Sequence, residues 1–238
     1  MDRIIPLILA GGRGTRVAGI YPDLPKPAIP VCGKPFLAWI LNQLSKADFT
    51  KVVISGGHLF EVLKEKVTPH IPTGMSVVWI QEKSPLGTGG GVIYAAKESG
   101  LHPAFWLVMN GDSYLQGNWL RMAGSTENGR AYLWACRVSD TGRYGRLDVN
   151  QGMLQSFREK QGGGGGLINA GIYLIPSFWL NPPPMIPPRS MERDLIPEWL
   201  TAGKKMTVFE TEASFLDIGT PETLGQADAF FSSPEVSS

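Results

Sequence analysis

The chain has 238 residues, of which 29 are glycine and 19 proline, together about a fifth of the sequence. That exceeds ordinary globular usage but stays below the roughly 25 to 30% at which low-complexity disorder begins, so the composition predicts a folded protein rich in loops. With 43% hydrophobic residues, it can build one substantial core, which excludes disorder and collagen. The 22 basic and 21 acidic side chains leave a net charge of +1, without the basic excess needed to hold nucleic acid by its phosphates. A small anionic ligand stays open. Cys32 and Cys136 sit in no metal-ligand spacing and are expected to be free, mostly buried thiols. The apolar run in MDRIIPLILAGGRG stops at glycines after about six residues, too soon for a signal peptide. No run approaches the roughly 18 apolar residues of a membrane span, so the expected location is the cytoplasm.

In chain order, Ile4 to Ala10, Val52 to Ser55, Val77 to Ile80 and Ala104 to Met109 are short apolar runs that fit strands buried on both faces. Helical patterns lie between them. Phe36, Leu37, Ile40, Leu41 and Leu44 follow Pro35 at helical spacing, and residues 58 to 67 and 88 to 99 are shorter amphipathic stretches. This alternation predicts an α/β fold, a Rossmann-like, doubly wound, mostly parallel sheet with right-handed crossovers. After about residue 128 the pattern changes to strand-like runs separated by turns, at Ala131 to Arg137, Arg146 to Val149, Leu154 to Arg158 and Leu167 to Ile175. These are expected as antiparallel additions at one side of the sheet. Asn181 to Pro188 is too proline-rich for a helix or a central strand. Ser190 reads as the N-cap of a helix over residues 191 to 202, with Glu192 and Asp194 in its first turn where the dipole favours acids. A strand at Met206 to Phe209 and a last helix from Pro221 follow, all within a single domain.

The first strand runs directly into Ala10-Gly11-Gly12-Arg13-Gly14-Thr15-Arg16. Glycines at the C-terminal end of the first strand of a doubly wound sheet let backbone N–H groups approach an anion, and neither GxxxxGK[ST] nor GxGxxG is present. Lys26 follows between Pro25 and Pro27, a cation on a stiff segment that suggests a polyphosphate clamp. Residues 82 to 91 (EKSPLGTGGG) form a second glycine-rich turn opening a helix. Asn110-Gly111-Asp112-Ser113 follows the fourth strand, and an Asp there suits Mg²⁺, which takes one or two carboxylates plus substrate phosphates; an Asx-turn is the plain alternative. Asp217 in FLDIGTP is a candidate second carboxylate, or simply a turn acid before the last helix. His58, His70 and His102 are scattered and fit surface or capping roles rather than zinc or a triad.

LILAGGRGTR followed by PKP, then PLGTGG, NGD, EK, NAGIY and FLDIGTPE, in this order from Leu9 to about Ala227, resembles the sugar-1-phosphate nucleotidylyltransferase family. EKSPLGTGG, VMNGDS, GRYGRL, GLINAGIYLI and SMERDLIPEWL are most similar to its heptose 1-phosphate guanylyltransferase branch, although Val17 replaces the leucine that usually follows the signature Arg. The resemblance implies a nucleotide-binding half at 1 to 128 and a sugar-binding half at 129 to 230, and the polar tail at 231 to 238 is expected to fray. It places Ala10, Gly11, Gly12, Gly14, Thr15, Arg16, Glu82, Gly87, Thr88, Asn110 and Asp112 around the nucleotide. Gly145, Glu159, Lys160 and Asn169 would face the sugar phosphate, Asp112 and Asp217 would share Mg²⁺, and Arg16, Lys26, Asp112 and Lys160 would be catalytic. A plain reading of Glu159-Lys160 is a solvated charge pair.

The implied partners are GTP or another nucleoside triphosphate and a sugar 1-phosphate, with no nucleic acid and no membrane; a homodimer is compatible with the family. Surface-glycan or capsule precursor synthesis follows from the branch alone. Glu82, five residues before Gly87, stands where the family reads the base, and an ionised carboxylate suits the two donors of guanine. Gln81 is adjacent, and a register one residue away would favour uracil or thymine. Uridylyl or other nucleotidylyl transfer to mannose, glucose or amino-sugar 1-phosphate is the alternative within the class; a glycosyltransferase or a silent nucleotide-sugar-binding homologue lies outside it. Gly162 to Gly166 is expected to be a mobile flap.

Overall fold

The computed structural model describes residues 3–117, 119, 129–142, 144, 146–158, 164–181 and 187–233. Strand β1 (Ile4–Ala10) leads into the first glycine loop, and a short hairpin of β2 (Pro30–Val31) and β3 (Lys34–Pro35) opens helix α1 (Phe36–Lys46). Then come β4 (Lys51–Gly56), α2 (Phe60–Val67), β5 (Ser76–Gln81), α3 (Gly87–Glu98), β6 (Phe105–Asn110) and the short β7 (Ser113–Leu115). The second half supplies β8 (Ala131–Val138), β9 (Arg146–Asn150), β10 (Met153–Arg158), β11 (Gly166–Pro176), α4 (Ile196–Thr201), β12 (Met206–Thr211) and β13 (Phe215–Asp217), and ends in α5 (Pro221–Gly225) and α6 (Ala227–Ser232).

One nine-stranded sheet, in the order β5-β4-β1-β6-β11-β8-β12-β10-β9, runs through both halves. β5, β4, β1 and β6 are mutually parallel. β11 lies antiparallel to β6 and to β8, so the additions do gather on one side. They are not all antiparallel, because β12 returns parallel to β8. Burial of both faces explains why β1, β4 and β6 read as unbroken apolar runs, whereas β5, expected to be buried on both faces, is the sheet's edge strand and only half-buried. In β6, Phe105, Leu107 and Met109 pack into one cluster with α1, α2 and α6, whereas Trp106 and Val108 pack into the other with α3 and α4.

Several local expectations change. The helix after Ser190 starts as a five-residue π turn, Met191–Leu195, before α4. Pro197 has no N–H for the carbonyl four residues back and its ring crowds that carbonyl, so the turn widens, and the Ile196 N–H reaches the Met191 carbonyl. The last helix is likewise broken at Gln226 into α5 and α6. Phe231 belongs to the core and not to a frayed tail: it is 1% exposed, stacks on Trp39 at 4.3 Å and meets Phe36 edge-on at 5.9 Å. Cys136 is buried, but Cys32 is exposed at a left-handed turn with φ 47°. Pro234 to Ser238, most of the proline-rich segment (182–186) and Gly162 and Gly163 of the glycine run lie outside the described residues.

Candidate active site

Two cavities open at the C-terminal ends of the parallel strands, where ligands of doubly wound sheets bind. The first, of about 510 Å³, is lined by the end of β1, the loop after it, the 82–88 turn, Lys26, Asn110 and Asp112. The second, of about 460 Å³, is lined by Arg16, Ser113, Gly142, Tyr144, Asn169, Phe215, Asp217, Gly219 and Thr220, and it shares Lys26, Asn110 and Asp112 with the first. Those three residues form the wall common to both.

Their positions follow from the backbone. Gly111 N–H bonds the Leu9 carbonyl at 2.8 Å, which ties the turn after β6 to the end of β1. β7 then pairs antiparallel with β13, so that Asp217 falls opposite Ser113, the neighbour of Asp112. Ile218 N–H donates to the Asp112 carbonyl at 2.9 Å. Two carboxylates more than a hundred residues apart in sequence are therefore set beside each other by a ladder of three residues per strand. Lys26, on a 3-10 turn of residues Lys26–Ala28, donates to Asp112 Oδ2 at 2.7 Å. Asp217 Oδ1 accepts from Gly219 N–H at 2.9 Å, and its Oδ2 accepts from the Tyr144 hydroxyl.

At the far end of the first cavity, Glu82 occupies a slot that glycine makes. A Cβ on either Gly11 or Gly91 would come within 2.9 Å of Glu82 Oε1. The Ser55 hydroxyl donates to the same oxygen at 2.8 Å. Burial pushes the Glu82 pKa above the usual carboxylate range, against the opposing pull of the Ser55 hydroxyl and the Leu86 N–H. Gln81 is exposed and lines neither cavity, so the base-reading candidate is Glu82.

The turn that opens α3 is not a bare helix end. Gly89 N–H and Gly90 N–H both donate to the Arg189 carbonyl, at 2.9 and 3.1 Å, and Arg189 N–H donates to the Leu86 carbonyl at 2.8 Å. The helix N-terminus is thus capped by the protein's own chain. Gly87 has φ +74°, and a Cβ there would lie 2.3 Å from the Arg189 oxygen. Because the clash is with backbone and the φ is left-handed, Gly87→Ala is expected to destabilise the fold by at least about 2 kcal/mol. Urea denaturation is the check, and a midpoint within error of wild type would show that the 188–190 segment moves aside freely.

Of the residues assigned to the nucleotide, Ala10, Gly11, Gly12, Glu82, Gly87, Thr88, Asn110 and Asp112 line the first cavity, and Arg16 stands in the second. Gly14 and Thr15 line neither; Gly14 instead lies against Lys26, whose Cβ is 3.4 Å from the position of a Cβ. Asn169 and Asp217 line the second cavity, while Gly145, Glu159 and Lys160 lie outside the described residues. His58 is exposed, as a surface residue should be, and stands on the wall of the first cavity, which Arg13 and Lys83 also line. No spacing in the sequence points to Tyr144, whose hydroxyl meets Asp217 from a distant part of the chain.

A doubly wound sheet with a glycine-rich loop, a lysine between prolines, Asp112 on the wall common to two cavities and Asp217 in the second has the architecture of a nucleotide-handling enzyme. The sequence profile of the nucleotidyl transferase family matches residues 5–233, and the chain belongs to that family. It is 32% identical over 217 residues to the D-glycero-alpha-D-manno-heptose 1-phosphate guanylyltransferase of Campylobacter jejuni subsp. jejuni serotype O:2, covering 91% of this chain and 95% of that protein. The enzyme of the same name from Aneurinibacillus thermoaerophilus is 28% identical over 223 residues, covering 93% and 95%. The solved structure of HddC from Yersinia pseudotuberculosis complexed with GMP-PN superposes with a TM-score of 0.83 at 31% identity, over 95% of this chain and 98% of that one. No helix among the described residues is long and apolar enough to cross a membrane.

Proposed function

We propose that the chain joins GTP to a heptose 1-phosphate, D-glycero-α-D-manno-heptose 1-phosphate being favoured, to give the GDP-sugar and pyrophosphate. The observation that carries this reading is the wall of Lys26, Asn110 and Asp112 common to both cavities, with an acceptor carboxylate at the far end of one and Asn169 in the other. A phosphate oxygen of the sugar phosphate forms a bond to the α-phosphorus of GTP, and the bond from that phosphorus to the bridging oxygen breaks. Pyrophosphate carries the electron pair away. The second pKa of a phosphate monoester is near 6, so the attacking group is already mostly a dianion at neutral pH. A general base is unnecessary, and the barrier lies in bringing two polyanions into line.

The chain's contribution is positional and electrostatic. Lys26 supplies a cation at the shared wall, Arg16 one from the second cavity and Arg13 one from the first. Asp112 and Asp217 suit Mg²⁺, since two adjacent carboxylates beside a phosphate subsite are the donor set that ion takes. When bound, Mg²⁺ would supply charge neutralisation at the triphosphate. The resemblance adds Gly145, Glu159 and Lys160 on the sugar side. Lys160→Ala is accordingly expected to raise the KM for the sugar phosphate far more than that for GTP, and equal increases would remove that assignment.

Pyrophosphate release measured across four nucleoside triphosphates and a panel of sugar 1-phosphates tests the whole reading. Fastest turnover with GTP and the heptose 1-phosphate is expected. Preference for UTP or dTTP, or for mannose, glucose or an amino-sugar phosphate, would replace the substrates, and silence with every pair would overturn the activity.

A further inference from the structure

Glu192 lines neither cavity, yet three hydroxyl groups converge on its carboxylate. Tyr173 donates to Oε1 at 2.8 Å. Thr88 and Ser190 donate to Oε2 at 3.3 and 3.0 Å. Tyr173 is 1% exposed on β11, at the end of a register break in the β8 ladder that begins at Asn169. Its hydroxyl has one proton, and an ionised carboxylate accepts only. With that proton given to Glu192, the Tyr173 oxygen must accept, and it does so from Asn169 Nδ2. The other end of the same amide, Oδ1, accepts from Gly171 N–H at 2.8 Å. Asn169 is thereby held in one orientation, with a second N–H on Nδ2 and a second lone pair on Oδ1 left for a ligand in the second cavity.

The opposite branch reaches the first cavity. The Thr88 hydroxyl accepts from Met191 N–H at 2.8 Å while it donates to Glu192, and Thr88 lines the nucleotide side of the site at the start of α3. One carboxylate on the turn after Ser190 therefore connects the wall of each cavity by a short chain of donors.

We propose that Glu192 is a positioning residue for both subsites: through Tyr173 it fixes which end of the Asn169 amide faces the sugar, and through Thr88 it anchors the turn at the nucleotide. This deepens the guanylyltransferase reading and rests on it. If the carboxylate is removed, the Tyr173 hydroxyl is free to turn its proton toward Asn169, which sets the amide's donor and acceptor ends in competition. The two branches also separate the two substrates. Tyr173 serves only the sugar side, whereas Glu192 serves both.

The test measures KM for GTP and for D-glycero-α-D-manno-heptose 1-phosphate separately, by pyrophosphate release, with near-UV circular dichroism to confirm the fold of each variant. Tyr173→Phe removes one hydroxyl and is expected to raise the sugar-phosphate KM about tenfold with the GTP KM within about twofold, the scale of one lost hydrogen bond. Glu192→Ala is expected to raise both, and Glu192→Gln, which keeps one acceptor oxygen for Tyr173, to recover most of the sugar-phosphate KM. Natively folded variants with both constants unchanged would overturn the proposal, as would Tyr173→Phe acting equally on both substrates, which marks a merely structural role. If Glu192→Ala does not fold, the split seen with Tyr173→Phe decides. Failure of the wild-type protein to turn over any substrate pair overturns the activity itself, and the proposal with it; an active wild type with unmoved variants overturns the proposal alone.

Discussion

Asp112→Asn is expected to lower kcat by about a hundredfold to a thousandfold, the scale at which loss of one preorganised electrostatic group at a reacting centre is felt, while leaving the fold intact. Among the described residues Asp112 is the one carboxylate on the wall that both cavities share, and on the proposed reading it offers the cation a charged oxygen beside the phosphate under attack. An amide presents the same shape with half the acceptors and no charge. Its structural role is smaller. The Asp112 side chain is 33% exposed and its partner Lys26 17%, and a partly solvated pair of this kind contributes about 1 kcal/mol or less. Losing the pair frees the Lys26 ammonium for phosphate, so the KM for GTP should change little while kcat collapses. Initial rates of pyrophosphate release at saturating Mg²⁺, with thermal unfolding alongside, are the measurements. A kcat within tenfold of wild type would remove Asp112 from the chemistry, and a collapse in thermal stability would recast it as structural.

The parts legible in the sequence are those where one local rule dominates. β1 runs from Ile4 to Ala10 as expected because each of its faces meets a core, and nothing polar interrupts it. α1 begins after Pro35 because proline suits the helix entrance and the apolar residues repeat at helical spacing. What escaped depends on contacts distant in sequence. β7 and β13 have three residues each, too short for a period, yet their pairing is what places Asp217 beside Asp112. Gln81 and Glu82 were ambiguous for a related reason: consecutive side chains at a strand end point to opposite sides, and only the β4–β5 register decides which one faces the cavity. Glu192 looked like an ordinary first-turn acid. Its partners Tyr173 and Thr88 lie 19 and 104 residues away, and no spacing rule connects them. Phe231 sits in a polar C-terminal stretch, where composition suggested fraying although one aromatic anchors the last helix.

Glu82→Gln is expected to cut kcat/KM for GTP by about tenfold to a hundredfold, the worth of one good two-donor base contact, and to raise activity with UTP or dTTP relative to GTP. Guanine presents N1–H and N2–H, both donors, so an acceptor-only carboxylate matches it and an amide must turn one N–H toward another. The same residue predicts a pH dependence whose sign differs between binding and folding. Burial raises the Glu82 pKa, so the carboxylate takes up its proton at a higher pH than an ordinary glutamate does. GTP affinity should be constant above that raised pKa and fall as the pH drops through it, because the protonated group loses an acceptor site. The folded chain without ligand behaves oppositely. Between the ordinary and the raised value the native state binds more protons than the unfolded one, so Glu82's contribution to stability grows as the pH falls through that window and is lost as it rises. GTP, by placing donors on the carboxylate, should pull the pKa back down and narrow the window. Calorimetric titration of GTP as a function of pH reads the first effect, and Glu82→Gln should flatten it. An acid limb that persists unchanged in the variant would assign the titration to another group, and an unchanged GTP preference would show that the base is read elsewhere.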